Sequence, residues 1–223
     1  MQPITPEQMD MIDANSEKLG FPRILLMENA GNALADHIIN HAKELDYRKV
    51  VVVAGTGNNG GDGFVAARHL AGYSKEISVI LLGSKMKTKE STINWNGIKN
   101  MDKTIKFLTI DDFDFEKKMK SIILEADIII DAIFGTGIKG LPRKLHSNAI
   151  NLINDSKAYI LSVDVPSGLD PLTGEVNNIS VIANETITFH RLKIGLLKRK
   201  DITGKIILKS IGVPPEAEEG VMN

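Results

Sequence analysis

The sequence contains no cysteine among its 223 residues. This absence excludes a disulfide framework, a thiolate nucleophile and any zinc or iron–sulfur site built on cysteine ligands. Net charge is also nearly absent, because 27 Lys and Arg residues balance 28 Asp and Glu residues. We therefore expect no general attraction to nucleic acid or to an anionic membrane surface. No apolar run approaches the roughly 18–20 residues of a membrane span.

The start of the chain does not resemble a targeting segment. Residues 1–7 lack the basic and apolar regions of a secretory signal peptide, so we expect a cytoplasmic enzyme or binding protein. Hydrophobic residues make up 43% and charged residues 25% of the chain, which is typical of a soluble globular protein. The length suits one α/β domain over residues 1–213, followed by a polar C-terminal tail over residues 214–223.

Apolar runs alternate with segments of helical periodicity along most of the chain. The apolar runs are residues 50–54, 77–82, 105–108, 128–134 and 159–165, and the helical segments are residues 61–71, 91–101, 113–124 and 143–154. Continuous Val, Ile and Leu runs are typical of strands in a parallel sheet that is covered on both faces. The order predicts a three-layer α/β/α sandwich of Rossmann-like type with a mostly parallel central sheet. Residues 182–189 and 205–210 could add edge strands.

Two helices are predicted before the sheet begins. Thr5 is suited to an N-cap, with Pro6 at the first helical position and Gln8 three residues after the cap. A second helix, over residues 24–44, carries a broad apolar face. These helices either pack on the sheet or form an interface between subunits.

Unusual residues follow three of the predicted strands. The three loops are residues 55–63, residues 135–140 and residues 166–170. Ligands of open parallel sheets bind at the C-terminal ends of the strands, so the three loops predict a single cleft. The first two loops match the spacing G-x-G-x-x-G, and the first one opens a helix. Glycines there let backbone N–H groups approach phosphate oxygens, although a glycine-rich loop can also be only a tight turn.

Two common nucleotide-binding classes are excluded by what these loops lack. A dehydrogenase of the usual kind places an acidic residue at the end of the second strand to bind the ribose hydroxyls, but residues 83–85 are Gly-Ser-Lys. A P-loop needs Gly-Lys-Ser or Gly-Lys-Thr after its glycines, and the sequence has neither there. We therefore expect a nucleotide ligand without ordinary hydride transfer.

Three charged residues are candidates for chemistry. Asp131 lies inside an apolar strand, where its carboxylate either accepts loop N–H groups or helps to hold a cation with other oxygen ligands. Asp164 ends the strand before Pro166 and is either a general acid or base or the cap of the following turn. Lys193 is either a second cation in the cleft or a solvated side chain. The five histidines show no metal-binding spacing with a carboxylate.

Several of these segments together resemble the NAD(P)H-hydrate epimerase family, of the type formed by the N-terminal domain of YjeF proteins. The resemblance is carried by residues 27–31, 57–70, 131–137, 164–170, 173–174 and 186–197. The stretches Asn-Asn-Gly-Gly-Asp-Gly and Asp-Val-Pro-Ser-Gly-Leu-Asp are highly specific, and the order and spacing cover nearly the whole chain. The residues 188–191 match less closely.

The resemblance implies a dinucleotide substrate, NADHX or NADPHX, in which water has added to the dihydronicotinamide ring. The enzyme would interconvert the R and S epimers at C6 for a stereospecific, ADP- or ATP-dependent dehydratase, with no organic cofactor of its own. The implied substrate-binding residues are Asn58, Asn59, Gly60, Gly61, Asp62, Gly135, Thr136, Gly137, Ile138, Lys139, Gly140, Leu141 and Asp164. Asn59, Asp131 and Ser167 would bind a potassium ion. The family also favours a homodimer.

A mechanism follows from the chemistry of C6, which carries both the hydroxyl group and the ring nitrogen. Loss of hydroxide, assisted by Asp164 as the acid, would give an N1=C6 iminium, and water would return to the other face. Lys193 could itself be the acid. The alternative function is a nucleotide-binding or scaffold module that has the fold but no turnover. The dehydratase domain that is often fused after this one is absent from the sequence, and the chain is either a standalone epimerase or part of a bifunctional protein.

Overall fold

A computed structural model describes residues 2–45, 47–73, 76–136, 143–176 and 178–222, without the side chains of residues 41–45. Its centre is a parallel sheet with the strand order β3-β2-β1-β4-β5-β6-β7. The strands are β1 (Lys49–Ala54), β2 (Glu76–Leu81), β3 (Ile105–Thr109), β4 (Ile128–Ala132), β5 (Tyr159–Val163), β6 (Glu185–Phe189) and β7 (Lys205–Lys209). The predicted parallel α/β fold is confirmed. Both further predicted strands are present, but only β7 lies at an edge, because β6 pairs with β5 and with β7.

Helices cover both faces of this sheet. The helices of the described residues are α1 (Pro6–Lys18), α2 (Arg23–Leu45), α3 (Asn58–Leu70), α4 (Lys89–Ile98), α5 (Phe115–Leu124), α6 (Lys144–Asp155) and the short α7 (Lys200–Thr203), of which α1 lies outside the two layers. Alternate residues of β1 separate the two layers: Val50 and Val52 pack in the core with α2 and α3, whereas Val51 and Val53 pack with α5 and α6. This alternation follows from the two-residue period of a strand and produces the three predicted layers.

The N-terminal helix α1 begins as the sequence predicts. Thr5 and Gln8 form a reciprocal capping box, in which the Gln8 N–H donates to Thr5 Oγ1 at 3.1 Å and the Thr5 N–H donates to Gln8 Oε1 at 2.9 Å. The helix packs against α2 and against a 3₁₀ helix at Pro215–Glu218. It therefore lies beside the sheet rather than within either helical layer.

The C-terminal segment differs from the polar tail that the sequence predicts from residue 214. Ala217 is fully buried in a small apolar cluster with Ile4 and Ile12, and Val221 packs against the same cluster. Asn15 Nδ2 also donates to the Ala217 carbonyl oxygen at 3.0 Å. A few apolar side chains, spaced by the turn of a 3₁₀ helix, are enough to anchor a segment whose composition is otherwise polar.

Strands β4 and β5 end two residues earlier than predicted, at Ala132 and Val163. The chain turns there because backbone groups find partners outside the ladder: the Phe134 N–H donates to Ser167 Oγ at 2.9 Å. The sheet order changes direction between β1 and β4, and such a switch point opens a crevice at the C-terminal strand ends. Among the described residues, no helix is long and apolar enough to cross a membrane.

Candidate active site

The glycine-rich loop after β1 brings the start of α3 against the edge of the sheet. A Cβ atom at Gly60 would lie 2.0 Å from the Gly55 carbonyl oxygen, and one at Gly55 would lie 2.1 Å from the Ile133 carbonyl oxygen. Gly57 is the N-cap residue of α3 and supplies no side-chain cap. Since no side chain of the described residues caps the helix at Gly57, its first N–H groups are suited to binding an anion.

A buried polar cluster surrounds Asp131 between the loops after β4 and β5. The side chain of Asp131 is fully buried, and burial raises the pKa of its carboxyl group above the usual value, although donors oppose this shift. Its oxygens accept hydrogen bonds from Ser162 Oγ at 2.8 Å and from the Ser167 N–H at 2.8 Å. The Ser167 hydroxyl also donates to Asp131 Oδ1. Asn59 Nδ2 donates to the Phe134 carbonyl oxygen at 3.0 Å beside this cluster.

Asp164 and Lys193 form an ion pair at the end of β5. Lys193 is only 1% exposed, which overturns the alternative of a solvated lysine. Its ammonium group donates to Asp164 Oδ1, to Thr188 Oγ1 at 3.0 Å and to the Phe189 carbonyl oxygen at 2.9 Å. Thr188 Oγ1 lies 3.0 Å from the same Asp164 oxygen. All three ammonium hydrogens thus have protein acceptors, and the lysine holds Asp164 in place.

The backbone around this pair is unusual. Asp164 has φ of +62°, in the left-handed region that non-glycine residues rarely adopt. His190, just after β6, has φ of +63°. Arg191 follows it and binds Glu218 of the C-terminal 3₁₀ helix through two side-chain contacts. Strained residues of this kind cluster at functional sites. Here one of them is a member of the ion pair, and the other lies three residues before Lys193.

A cavity of about 740 Å³ opens at this edge of the sheet, within the size range of small-molecule binding sites. The cavity reaches Asn58, Asn59 and Asp62 of the first loop, Gly135 and Thr136 of the second, and Asp164 with Lys193. The structure therefore brings the first two predicted loops together at one cleft with Asp164. No residue of the third loop, residues 166–170, lines the cavity, and neither do the predicted binding residues Gly60 and Gly61. The predicted substrate-binding residues Gly137, Ile138, Lys139, Gly140 and Leu141 lie outside the described residues.

Two further carboxyl groups line the cavity and have perturbed pKa values. Burial raises the pKa of Asp62 well above its usual value, and the charges of Asp164 and Asp13 raise it further. Burial also raises the pKa of Asp13 from 3.8 to about 6, while the charge of Arg23 lowers it. Perturbed carboxyl groups gathered in one cleft are typical of a site that performs acid–base chemistry.

Sequence reasoning missed several residues of the cavity wall. Asp13 and Arg23 come from the two N-terminal helices, while Arg143 and His146 come from the segment that follows β4. The His146 ring lies 4.8 Å from the Phe134 ring, with their planes inclined at 34°. No motif marks these positions, and only the docking of α1 beside the sheet edge could have indicated Asp13.

Comparisons with known proteins agree with this geometry. Residues 24–195 match the family described as YjeF-related protein N-terminus. The NAD(P)H-hydrate epimerase of Nitrosopumilus maritimus is 44% identical over 223 residues, which are 98% of this chain and 99% of that protein. The NAD(P)H-hydrate epimerase of Cenarchaeum symbiosum is 42% identical over 98% of this chain and 99% of its own length.

Other relatives are longer. The bifunctional NAD(P)H-hydrate repair enzyme Nnr of Methanothermobacter thermautotrophicus is 44% identical over 96% of this chain but only 41% of its own length. Among solved structures, yeast ynu0 (YNL200c) superposes with a TM-score of 0.76 at 24% identity and covers 91% of this chain and 86% of the yeast chain. At that identity the likeness supports the fold alone.

Proposed function

Since this chain belongs to the family of the YjeF-related protein N-terminus, we propose that it is an NAD(P)H-hydrate epimerase. It interconverts the R and S epimers of NADHX and NADPHX at C6, and so supplies a dehydratase that accepts one epimer. The observation that carries the proposal is the meeting of the first two loops and the Asp164–Lys193 pair in one cavity. Relatives of matching length that are named as epimerases support it.

The dinucleotide would bind across the switch point of the sheet. The free N–H groups at the start of α3 and the loop at Gly135 and Thr136 are suited to the diphosphate. Lys87 and Arg143 line the same cavity and add positive charge to its wall. This arrangement explains how a chain with a net charge of only −1 attracts a phosphorylated substrate without a basic surface.

The residues around Asp131 fit a bound potassium ion. The Asp131 carboxylate, the Ser167 hydroxyl and the Phe134 carbonyl offer oxygen atoms there, and the Asn59 amide, whose Nδ2 donates to the Phe134 carbonyl oxygen, carries a further oxygen. One buried negative charge among neutral oxygens suits a large monovalent cation. Among the described residues, no group of three or more His, Cys, Asp or Glu side chains could hold another kind of metal ion. The ion would offset the buried charge and fix the loops after β4 and β5.

Asp164 and Lys193 are the proposed catalytic pair. Lys193 holds the carboxylate, and Asp164 accepts a proton from the water that adds to C6, or returns a proton to the leaving hydroxyl in the reverse direction. The C6–O bond breaks as the N1 lone pair forms an N1=C6 iminium, which both epimers share. Positioned acid–base groups contribute roughly 10²–10⁴ in rate.

The proposal is tested by incubating the purified protein with a single NADHX epimer and following the other by chiral separation. We expect conversion well above the spontaneous rate. No acceleration would favour the second candidate, a binding module without turnover, which the complete set of loop residues argues against.

Potassium binding is tested in a separate experiment, because it should affect the stability of the protein as well as its activity. Potassium chloride is compared with choline chloride at equal ionic strength, and both the conversion rate and the melting temperature are measured. We expect potassium to raise both quantities. Equal values in the two salts would contradict the proposed potassium site.

We also propose a cytoplasmic homodimer that uses the N-terminal helices. Met11, Leu19, Phe21 and Leu25 expose large apolar side chains along α1, the turn after it and the start of α2, and an exposed patch of this kind is typical of an interface. Light scattering coupled to gel filtration distinguishes a dimer from a monomer of 24.4 kDa. A monomer at micromolar concentration would contradict this part of the proposal.

A further inference from the structure

Helix α1 is fixed in position relative to the Asp164–Lys193 pair. Just before the helix, the Ile4 N–H donates to the Leu192 carbonyl oxygen at 2.9 Å, and Ile4 forms an isolated parallel bridge with Lys193. Near the end of the helix, Asn15 is bound to the C-terminal 3₁₀ helix. The two anchors mean that a side chain on the intervening turns has a defined place beside the reacting groups.

Asp13 is the side chain that this arrangement brings to the cavity. It lines the same space as Asp164 and Lys193, and its side chain is 23% exposed. Arg23 lies 3.9 Å from it. The charges that act on it are Arg23 and Lys193, which lower its pKa, and Asp10 and Asp164, which raise it after the larger effect of burial.

Epimerisation needs acid–base help on both faces of the ring. Hydroxide leaves C6 from one face and water adds from the opposite face, so a single carboxylate can serve only one of the two positions. Asp164 lines the cavity from the end of β5. Asp62 lies in α3, at the same edge of the sheet as Asp164, and burial raises the pKa of its carboxyl group well above the usual value. Asp13 approaches from α1, an element outside the sheet.

We propose that Asp13 is the second acid–base residue of the epimerisation and acts on the ring face opposite Asp164. This inference rests on the proposed function. In one direction Asp13 gives its proton to the leaving hydroxyl, which departs as water, and the N1 lone pair forms the iminium. A second water then adds to the other face of C6 and gives its proton to Asp164. Exchange with solvent restores the two carboxyl groups, and the roles reverse in the other direction.

The test compares Asp13→Asn with Glu17→Gln. Glu17 lies on the same helix and its carboxylate is 3.8 Å from the same Arg23, but it lies outside the lining of the cavity. We expect Asp13→Asn to lower kcat roughly 100-fold with KM changed less than about threefold, while Glu17→Gln stays near the wild-type value. Asp13→Glu should recover part of the loss. The plot of kcat against pH for the wild type should show an inflection near pH 6, and this inflection should be absent in Asp13→Asn.

Each outcome decides a different point. Equal losses in Asp13→Asn and Glu17→Gln would show that only the Arg23 ion pairs matter, and an unchanged kcat in Asp13→Asn would also overturn the inference. Thermal melting of each variant identifies a loss of activity that comes from unfolding. If Asp13→Asn unfolds, the folded variant Asp13→Glu provides the test instead: its pH profile of kcat should keep the inflection of the wild type, and a profile without that inflection would overturn the inference. A wild-type protein that fails to convert the epimers would overturn the proposed function itself, and with it this inference.

Discussion

Strand β6 carries a buried ionic group at each end, and the two groups have different surroundings. At its C-terminal end, Thr188 and Phe189 complete the contacts of Lys193 with Asp164 beside the cavity. At its N-terminal end, Glu185 is 3% exposed, lies 2.5 Å from His37 Nε2 and is 3.5 Å from Lys205 Nζ. Both ends thus take a charge out of water and pair it.

The two carboxylates differ in whether protein atoms surround them completely. Glu185 is enclosed by protein partners, and burial, followed by the charge of Glu185, raises the pKa of the neighbouring Tyr159. Asp164 instead opens onto the cavity from a left-handed backbone conformation. A charge sealed by packing on all sides can only hold the fold together, whereas a charge that keeps one open side can act on a ligand.

The largest effect that this comparison predicts is on turnover at the open end. Asp164→Asn keeps the shape of the side chain but removes the proton acceptor. We expect kcat to fall by about 10²–10⁴, equivalent to about 2.7–5.5 kcal/mol, with substrate still bound. Single-epimer kinetics and a binding titration measure the two quantities. Full activity in the variant would remove Asp164 from the mechanism.

At the sealed end, the prediction concerns stability instead. Glu185→Gln leaves His37 and Lys205 without their buried counter-charge, and we expect the free energy of unfolding to fall by about 3 kcal/mol. The kcat of the folded fraction should not change. Denaturant titration and epimer conversion are measured on the same sample. If turnover falls as much as it does in Asp164→Asn, the division between the two ends of β6 is wrong.

A smaller effect is expected from a substitution in the glycine-rich loop between β1 and α3. Gly60→Ala places a Cβ atom 2.0 Å from the Gly55 carbonyl oxygen, so the loop must move, and we expect a loss of about 1–3 kcal/mol of stability together with weaker substrate binding. Gly57→Ala is the matched control, because nothing lies within 4 Å of its added Cβ atom. Similar melting temperatures for the two variants would contradict the close approach.

The smallest effect has the opposite sign. Burial raises the pKa of Asp13 to about 6, so between about pH 4 and 6 the folded protein retains a proton that the unfolded chain releases. This contribution to stability is complete below pH 4 and is lost as the pH rises to 6. We therefore expect Asp13→Asn to be more stable than the wild type at pH 7 by about 1–2 kcal/mol, and equal to it at pH 4. Denaturant titrations at both pH values measure this, and a destabilised variant at pH 7 would indicate a structural role for Asp13.

The sheet and its loops could be predicted because each depends on local pattern. Continuous apolar runs marked the strands, and glycines marked the turns after β1 and β4. The burial of Lys193 could not be predicted, because a lysine in a polar loop has the same local sequence whether it is solvated or enclosed. Its environment is set by β6 and by Ile4, which is 189 residues away in the chain.

The role of α1 was equally hidden from the sequence. Its capping residues and apolar positions predicted a helix, but periodicity does not indicate which surface an amphipathic helix covers. The anchor depends on Ala217 in a short 3₁₀ helix that composition alone suggests is a polar tail. Asp13 therefore enters the site through two long-range contacts rather than through a motif.

Oxygen labelling tests the central claim most directly, namely that the cavity epimerises C6 by releasing its hydroxyl group. One NADHX epimer is incubated with the protein in ¹⁸O-labelled water, and the product epimer is separated at early time points and weighed by mass spectrometry. Because the returning oxygen comes from water, we predict that each newly formed product molecule carries one solvent oxygen above the spontaneous background. Rapid enzymatic conversion to an unlabelled product would contradict the account, because the hydroxyl would then never have left the substrate.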